Sequence, residues 1–294
     1  MSKEKMKACQ NLVEETLPKL LPEKDGYNDL LVDAMGYSLL SGGKRLRPIL
    51  AMAACAAVGG KPEDALYAGC CIECIHAYSL IHDDLPCMDD DVLRRGKPTN
   101  HVVYGVGMAT LAGDGLQALA FENLSRYWLQ KEEMGIGLRV VRELAAGSGC
   151  DGMVVGQAQD LESEGRMISA EHMRYIHSRK TGALIKAAVR IGAVIGGADE
   201  EALAQITDYG TAIGLAFQIT DDILDVVGDT AVIGKPVGSD EKNEKATYPA
   251  LYGMEQARQM AADECARALQ ALEGLAGDTE ILSYIANYIL ERKK

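Results

Sequence analysis

The chain is short of aromatic residues, and this shortage constrains how its core can pack. Its 294 residues include only two Phe and one Trp, whereas small and aliphatic residues are abundant. Side chains of this kind let helices approach one another closely, so we expect mostly aliphatic contacts between helices. An apolar content of 48% is ample for a large core. The composition therefore favours an all-α protein.

Positive charge is also scarce. The chain has 30 Lys and Arg against 43 Asp and Glu, which gives a formal net charge of −13. Nucleic acids and anionic membrane surfaces are bound through concentrated Lys and Arg, so the overall charge argues against both partners. An anionic small-molecule substrate would have to be bound by a local group of basic residues.

Long apolar runs are missing as well. No segment approaches the roughly 20 apolar residues that cross a bilayer, and the most apolar stretch, 183–198, contains Lys186 and Arg190. Residues 1–7 are charged and lack the apolar centre of a signal peptide. We therefore expect no membrane span and a cytoplasmic location.

Cysteine pairs suited to a structural metal are absent. Eight cysteines are scattered through the chain, and the only close group is Cys70, Cys71 and Cys74. A structural zinc site needs a second ligand pair at suitable spacing, and none is visible. We expect all eight thiols to be reduced.

Helical periodicity runs through nearly the whole chain, with short connections rich in Gly and Pro and no low-complexity linker. The pattern predicts one domain over residues 1–294, a bundle of about ten or more helices. The predicted segments are 4–20, 27–40, 46–58, 63–83, 108–130, 134–147, 149–164, 171–178, 181–195, 199–226, 247–273 and 278–292.

Two clusters of aspartates follow long apolar, helix-like segments. In the first cluster, Pro86 should end the helix, so that Asp89 folds back toward Asp83. In the second, Asp221 and Asp225 are four residues apart and share a helix face. The six carboxylates are those of Asp83, Asp84, Asp89, Asp221, Asp222 and Asp225.

Six carboxylates in one place would repel one another unless a divalent cation and an anionic ligand shared the space. Oxygen ligands favour a hard cation, and Mg²⁺ typically combines a few carboxylates with substrate phosphates. The calcium-binding EF-hand pattern is absent. Either cluster alone is also typical of a solvated acidic helix end, but together they indicate a magnesium site for phosphates.

A basic group lies elsewhere in the sequence. Lys44, Arg45 and Arg47 follow two glycines within 42–48, which suggests a phosphate cradle. A glycine turn with solvated charges is the alternative, and the pair Arg94-Arg95 after the first aspartate cluster weakens it. Weaker individual candidates are Lys180, Thr181, Gln218 and Lys235.

Taken in order, these residues resemble the trans-isoprenyl diphosphate synthase (polyprenyl synthetase) family over nearly the whole chain. The matching motifs are Gly42-Gly43-Lys44-Arg45-x-Arg47-Pro48, His76, Asp83-Asp84-x-x-x-x-Asp89, Arg94-Arg95-Gly96, Gly156-Gln157-x-x-Asp160, Lys180-Thr181, Phe217-Gln218-x-x-Asp221-Asp222-x-x-Asp225 and Gly234-Lys235. The resemblance implies a helical isoprenoid synthase fold around a deep central cavity, usually as a homodimer.

The resemblance also implies residue roles. Three Mg²⁺ ions and an allylic diphosphate would lie between the two aspartate clusters, whose six aspartates are the metal ligands. The implied contacts to the allylic diphosphate are Arg94, Lys180, Thr181, Gln218 and Lys235, of which the first four are also the catalytic set. Those to isopentenyl diphosphate are Lys44, Arg47, His76 and Arg95. Pro236 departs from the family pattern, in which Thr often follows the lysine.

Product length can be argued from helical spacing. Tyr78 precedes Asp83 by five residues, about 7.5 Å along a helix, so its ring would limit the hydrocarbon end of the cavity together with Ser79. Tyr at this place resembles bacterial-type farnesyl diphosphate synthases. The resemblance therefore implies a fifteen-carbon product made from isopentenyl, dimethylallyl and geranyl diphosphates.

Three other classes of protein are compatible with parts of this pattern. A geranylgeranyl diphosphate synthase shares the chemistry but is disfavoured by Tyr78. A terpene cyclase also ionises a diphosphate at an aspartate-rich site, yet it needs no second basic pocket. A noncatalytic helical regulatory subunit would often have lost part of an aspartate motif, and both motifs are intact.

Overall fold

The computed structural model describes residues 2–227 and 247–291 and shows a helical protein with one small hairpin. This confirms the all-α prediction. The helices are α1 (Ser2–Thr16), α2 (Asp29–Leu39), α3 (Leu46–Ala57), α4 (Leu66–Asp83), α5 (Asn100–Tyr104), α6 (Val106–Trp128), α7 (Met134–Ser148), α8 (Met153–Ser163), α9 (Ala170–His177), α10 (Ala183–Ile195), α11 (Glu200–Val227), α12 (Tyr248–Tyr252), α13 (Met254–Ala271) and α14 (Glu280–Glu291).

Helix α10 lies at the centre of the bundle and packs against α3, α7 and α11. Its small side chains, Gly192 among them, allow the close approach that the composition predicted. A Cβ on Gly192, for example, would lie 3.0 Å from the Cα of Ala51. Among the described residues, no helix is long and apolar enough to cross a membrane.

Helix boundaries differ from the sequence prediction in several places. The first helix ends at Thr16 and continues as a 3-10 turn over Leu17–Leu20, because Pro18 cannot donate a helical hydrogen bond. Helices α9 and α10 are joined by a π-helical turn, Ser178–Gly182, instead of a break. The segment predicted as one helix over 247–273 is divided at Gly253, whose φ is 81°.

The one β-hairpin in the described residues follows the first aspartate cluster. Strands β1 (Leu93–Arg94) and β2 (Lys97–Pro98) pair antiparallel. The two turn residues, Arg95 and Gly96, have φ angles of 53° and 75°. Positive φ at both central residues is the signature of a type I′ turn, which matches the twist of a hairpin. The turn therefore presents Arg94 and Arg95 from different positions of one rigid element.

Candidate active site

The first aspartate cluster begins where α4 ends. The backbone N–H of Asp89 donates a hydrogen bond of 2.9 Å to the carbonyl of Asp83. The chain after Pro86 thus returns toward the helix end, as the sequence predicted. Both carboxylates line the same cavity.

That acidic cavity has a volume of about 240 Å³ and is enclosed by residues from both aspartate clusters. Its polar lining includes Asp83, Asp89, Arg94, Asp160, Lys180, Thr181, Gln218 and Asp222. Burial raises the pKa of Asp83, an effect that the charge of Lys180 opposes and that of Asp89 reinforces. A cation in this cavity would relieve the repulsion between the two carboxylates.

Asp84 has a different environment from its neighbours. Its side chain is buried, and the guanidinium of Arg94 donates to both carboxylate oxygens, with Nε distances of 2.8 and 2.9 Å. This bidentate pair fixes the hairpin to the end of α4. A metal-binding role for Asp84 stays a prediction. In the structure its carboxylate is hydrogen-bonded to Arg94.

The second cluster lies near the C-terminal end of α11. Asp222 is buried and accepts hydrogen bonds from the Tyr248 backbone N–H at 3.0 Å and from Gln218 Nε2 at 3.3 Å. Asp221 and Asp225 are half-buried on the same helix. Asp222 therefore connects α11 to the start of α12, and Gln218 is oriented by it.

Lys180 lies in the π-helical turn, a local geometry that often marks a functional site. Its Nζ forms an ion pair of 2.7 Å with Asp160 Oδ2 of α8. Glycines allow neighbouring helices to approach the turn: a Cβ on Gly156 would lie 2.6 Å from the Cα of Lys180, and one on Gly214 would lie 2.9 Å from the Cα of Gly182. The turn is therefore held between α8 and α11.

A smaller basic cavity, about 40 Å³, lies on the other side of Asp84 and Arg94. Arg95 borders it, and the guanidinium donates to the carbonyl of Gly42 and to Ser41 Oγ at 3.3 Å. Any side chain at Gly43 would collide with that guanidinium, since a Cβ there would lie 2.8 Å from Nη1. The glycines of the predicted cradle thus position the Arg95 guanidinium: Gly42 accepts its hydrogen bond and Gly43 leaves room for it.

His76 lines the basic cavity, and Arg47 lies beside it on the wall of the adjoining apolar cavity. Burial lowers the pKa of His76 well below its usual value, and the charges of Arg47 and Arg95 lower it further. His76 is therefore neutral at neutral pH until an anion compensates the arginines. The Nε of Arg47 is buried without a hydrogen-bond partner among the described residues, as expected for a group that awaits an anionic ligand.

The other two cations of the predicted cradle have different partners, although Arg45 also borders the basic cavity. Arg45, in the left-handed region with φ of 49°, is buried and bonds to Glu14 at 2.8 Å and Glu73 at 2.9 Å. Lys44 is exposed, with its Nζ 5.8 Å from the ring centre of Tyr288. Arg45 thus stabilises the fold, while the predicted role of Lys44 would require its side chain to turn toward the cavity.

A third, more apolar cavity of about 370 Å³ extends along α4. Tyr78 and Ser79 both line it. Burial raises the pKa of Tyr78 to about 12, with a smaller contribution from Asp83, and its hydroxyl has no partner among the described residues. The ring lies edge-on to His82, with centroids 5.7 Å apart. Tyr78 thus lies in the apolar cavity, and its role in limiting product length stays a prediction.

The three cavities adjoin. Leu80, Asp83, Lys180 and Thr181 line both the acidic and the apolar cavity. His76 lines both the basic and the apolar cavity. A ligand with an anionic head and an apolar tail could therefore lie across the junction, with a second anion beside it.

Sequence reasoning singled out no role for two residues that the cavities contain. Asp160 pairs with Lys180, and Gln157 lines the apolar cavity with a buried Nε2 that lacks a partner in the described residues. Both belong to the motif Gly156-Gln157-x-x-Asp160, and this membership was the sequence signal that could have indicated a role. Lys235 and Pro236 lie outside the described residues.

The aspartates suit Mg²⁺ in donor chemistry, because all offer hard carboxylate oxygens. Within residues 2–227 and 247–291, however, no three His, Cys, Asp or Glu side chains are grouped closely enough to hold an ion alone. A bound diphosphate would offer further hard oxygens beside these carboxylates. Burial is the main cause of the raised pKa of Asp83, and the charges of Lys180 and Arg94 oppose it.

Comparison with known proteins agrees with this arrangement. The profile of the Polyprenyl synthetase family matches residues 28–284. The farnesyl diphosphate synthase of Escherichia coli K12 is 46% identical, covering 99% of both chains. Geranylgeranyl pyrophosphate synthase 12 of Arabidopsis thaliana is 47% identical, covering 87% of this chain and 72% of its own.

The fold is shared with solved structures. A crystal structure of an FPP/GFPP synthase from Zymomonas mobilis superposes with a TM-score of 0.87 at 39% identity, covering 98% of both chains. Fold and site together define a helical transferase for diphosphate substrates. The chain belongs to the polyprenyl synthetase family.

Proposed function

We propose that the chain is a farnesyl diphosphate synthase, which condenses isopentenyl diphosphate head-to-tail with dimethylallyl diphosphate and then with geranyl diphosphate. The observation that carries this proposal is the junction of an acidic, a basic and an apolar cavity at Asp83, Lys180 and His76. The near full-length similarity to the Escherichia coli enzyme supports the same activity.

The acidic cavity would bind the allylic diphosphate and promote its departure. Three Mg²⁺ ions, held by the aspartates and the diphosphate, would stabilise the charge on the leaving group. Lys180 and Arg94 line the same cavity and supply positive charge where negative charge accumulates. Since each is paired with a carboxylate, Asp160 or Asp84, each is already oriented before the substrate arrives.

The basic cavity would bind isopentenyl diphosphate. Arg95 is seated on the glycine turn, and Arg47 has a buried N–H group available for an anion. A neutral His76 can donate one further hydrogen bond without adding to the repulsion between the arginines. The Lys44 side chain would contact the same diphosphate after rotating away from the Tyr288 ring.

The allylic cation must be protected from water and stabilised by oxygen dipoles. Thr181 and Gln218 line the acidic cavity, where their side-chain oxygens would supply such dipoles. The Lys180 carbonyl, in the same π-helical turn as Thr181, would supply another. After attack by the isopentenyl double bond, the departing diphosphate is the base that accepts the proton. No separate catalytic His–Asp pair is then required.

Product length depends on Tyr78. We expect Tyr78→Ala to shift the main product from fifteen to twenty carbons, because removal of the ring extends the apolar cavity along α4. Tyr78→Phe is the matched control: it keeps the ring and removes only a hydroxyl without a described partner, so the fifteen-carbon product should persist. Chromatography of dephosphorylated products would measure the distribution. An unchanged distribution in Tyr78→Ala would reject this role.

Incubation with isopentenyl diphosphate, dimethylallyl diphosphate and Mg²⁺, followed by mass spectrometry, tests the proposed activity. Farnesyl diphosphate as the main product supports it. Geranylgeranyl diphosphate would favour the alternative suggested by the Arabidopsis relative. If no prenyl product formed in protein that is folded by circular dichroism, the activity would be refuted in favour of a noncatalytic helical subunit.

We also propose that residues 1–294 form a single domain that works in the cytoplasm as a homodimer. Large apolar residues remain exposed on α5, α6 and α7 and could be covered by a second copy. They include Val102, Val103, Val106, Leu111 and Leu138. Light scattering after size-exclusion chromatography should give twice the chain mass of 31.6 kDa, and a monomer at micromolar concentration would contradict the proposal.

A further inference from the structure

A second polar groove lies between α7, α10 and the π-helical turn, and the proposed reaction does not use it. Its volume is about 300 Å³. None of the aspartates of the two clusters lines it. Its charged lining consists of Arg142, Glu143, Asp151, Arg179, Lys186 and Arg190.

Small residues form the floor of this groove. Gly147 of α7 faces α10 so closely that a Cβ there would lie 2.5 Å from the Cβ of Ala187 and 3.2 Å from the carbonyl oxygen of Ala183. Because the side chains at the floor are small, space remains between the charged side chains that line the groove. The groove is therefore open to a small ligand.

Within the part of the chain that the structure describes, Arg190 is the groove cation that forms an ion pair with a carboxylate. Arg190 forms a bidentate pair with Glu143, with both distances 2.7 Å, and also donates to Thr207 Oγ1 at 2.6 Å. Arg179 donates to the backbone carbonyl of Asp151, not to its carboxylate. The remaining lining charges are three cations against the single carboxylate of Asp151.

Lys186 is the central cation of this set. It is half-buried, and among the described residues it forms no hydrogen bond or ion pair. Burial lowers its pKa, and the charges of Arg179 and Arg190 lower it further, whereas the carboxylate of Glu143, already paired with Arg190, opposes the shift. A half-buried ammonium group beside two guanidinium groups is costly without an anion, particularly in a chain whose net charge is −13.

We infer that this groove is a second anion site that binds a phosphate oxyanion, either orthophosphate or inorganic diphosphate, through Lys186, Arg142 and Arg179. Guanidinium groups match phosphate oxygens with paired N–H donors, and an ammonium adds a point charge. The volume suits such a small anion, and Arg142 is exposed at the rim, where it can close over the ligand.

The groove is connected to the proposed active site through the π-helical turn. Arg179 faces the groove, whereas the next residue, Lys180, faces the acidic cavity. An anion that draws Arg179 away from the Asp151 carbonyl would alter the turn that positions Lys180. Occupancy of the groove should therefore change kcat.

Calorimetric titration without Mg²⁺ tests binding, with orthophosphate and inorganic pyrophosphate as separate probes. We expect the wild-type protein to show two classes of site for at least one probe, the basic active-site cavity and the groove. Lys186→Gln should lose one class, with affinity at least about 10-fold weaker for a lost charged contact. Lys19→Gln, an exposed lysine outside the groove, is the matched control and should bind like wild type.

The two probes distinguish a single phosphate from a diphosphate as the ligand. Identical isotherms for wild type and Lys186→Gln with both probes would overturn the inference, whatever the number of classes of site. This test does not require prenyl transfer, so it can succeed if the proposed activity fails.

The connection to Lys180 has its own measurement. At saturating substrates and constant free Mg²⁺, added orthophosphate cannot compete effectively at the active site, so a remaining change in kcat reports the groove. We expect that change in wild type and Lys19→Gln, and its loss in Lys186→Gln. A constant kcat in wild type would exclude coupling.

Discussion

Replacing Asp89 with Asn is expected to lower kcat about 10²- to 10³-fold, the usual loss when one electrostatic contact to the transition state is removed. The amide has nearly the shape of the carboxylate but lacks its negative charge. Because the loop is held by the Asp89 backbone N–H bonded to Asp83, the fold should persist. Steady-state kinetics over a range of Mg²⁺ concentrations should also show that the variant needs more Mg²⁺ to reach half of its maximal rate.

The neighbouring carboxylate provides the control. Asp90 is exposed, and its φ of 50° is one that Asn tolerates well. Asp90→Asn makes the same chemical change one residue further along and should retain nearly wild-type kcat. If both variants lost activity equally, the loss could not be attributed to a carboxylate in the acidic cavity.

Gly156→Ala is expected to lower kcat about 100-fold, although the residue carries no functional group. A Cβ at this position would lie 2.6 Å from the Cα of Lys180 and 2.7 Å from the carbonyl carbon of Arg179. These are backbone atoms that cannot rotate away, so α8 or the π-helical turn must move. A displacement of about 1 Å can cost that much in rate.

Gly156→Ala should also destabilise the protein by about 1–3 kcal/mol, the usual cost of overpacking. Gly135→Ala is the matched control, because Gly135 lies in α7 with no atom within 4 Å of the added carbon. That variant should keep its activity and should not lose stability, since Ala favours helix. Thermal unfolding and kcat measure both effects, and a Gly156→Ala protein with wild-type values would disprove this packing role.

Helical periodicity and residue spacing predicted most of the fold and much of the candidate site. Pro86 predicted the return of Asp89, and the five-residue spacing predicted that Tyr78 would lie in the cavity below Asp83. Both are local properties, since Pro ends a helix near its own position and a helix fixes the position of residues a few places apart. The resemblance further connected distant motifs that spacing alone leaves separate.

Other features depend on contacts between distant segments. Arg45 and Arg47 are equivalent cations in the sequence, yet Arg45 pairs with Glu14 and Glu73, whereas the Nε of Arg47 has no described partner. The pairing of Asp84 with Arg94 likewise requires the type I′ hairpin to fold against α4. No single-residue pattern specifies which carboxylate a given arginine will contact.

The sequence by itself determined the helical class, the position of the aspartates at helix ends and the family to which the chain belongs. Only the tertiary structure decided that Gly156 supports the turn of Lys180, and that Lys186 shares a groove with Arg142 and Arg179. The physical reason is range: periodicity and capping act within a few residues, whereas the burial and charge environment of a side chain depend on every segment packed around it.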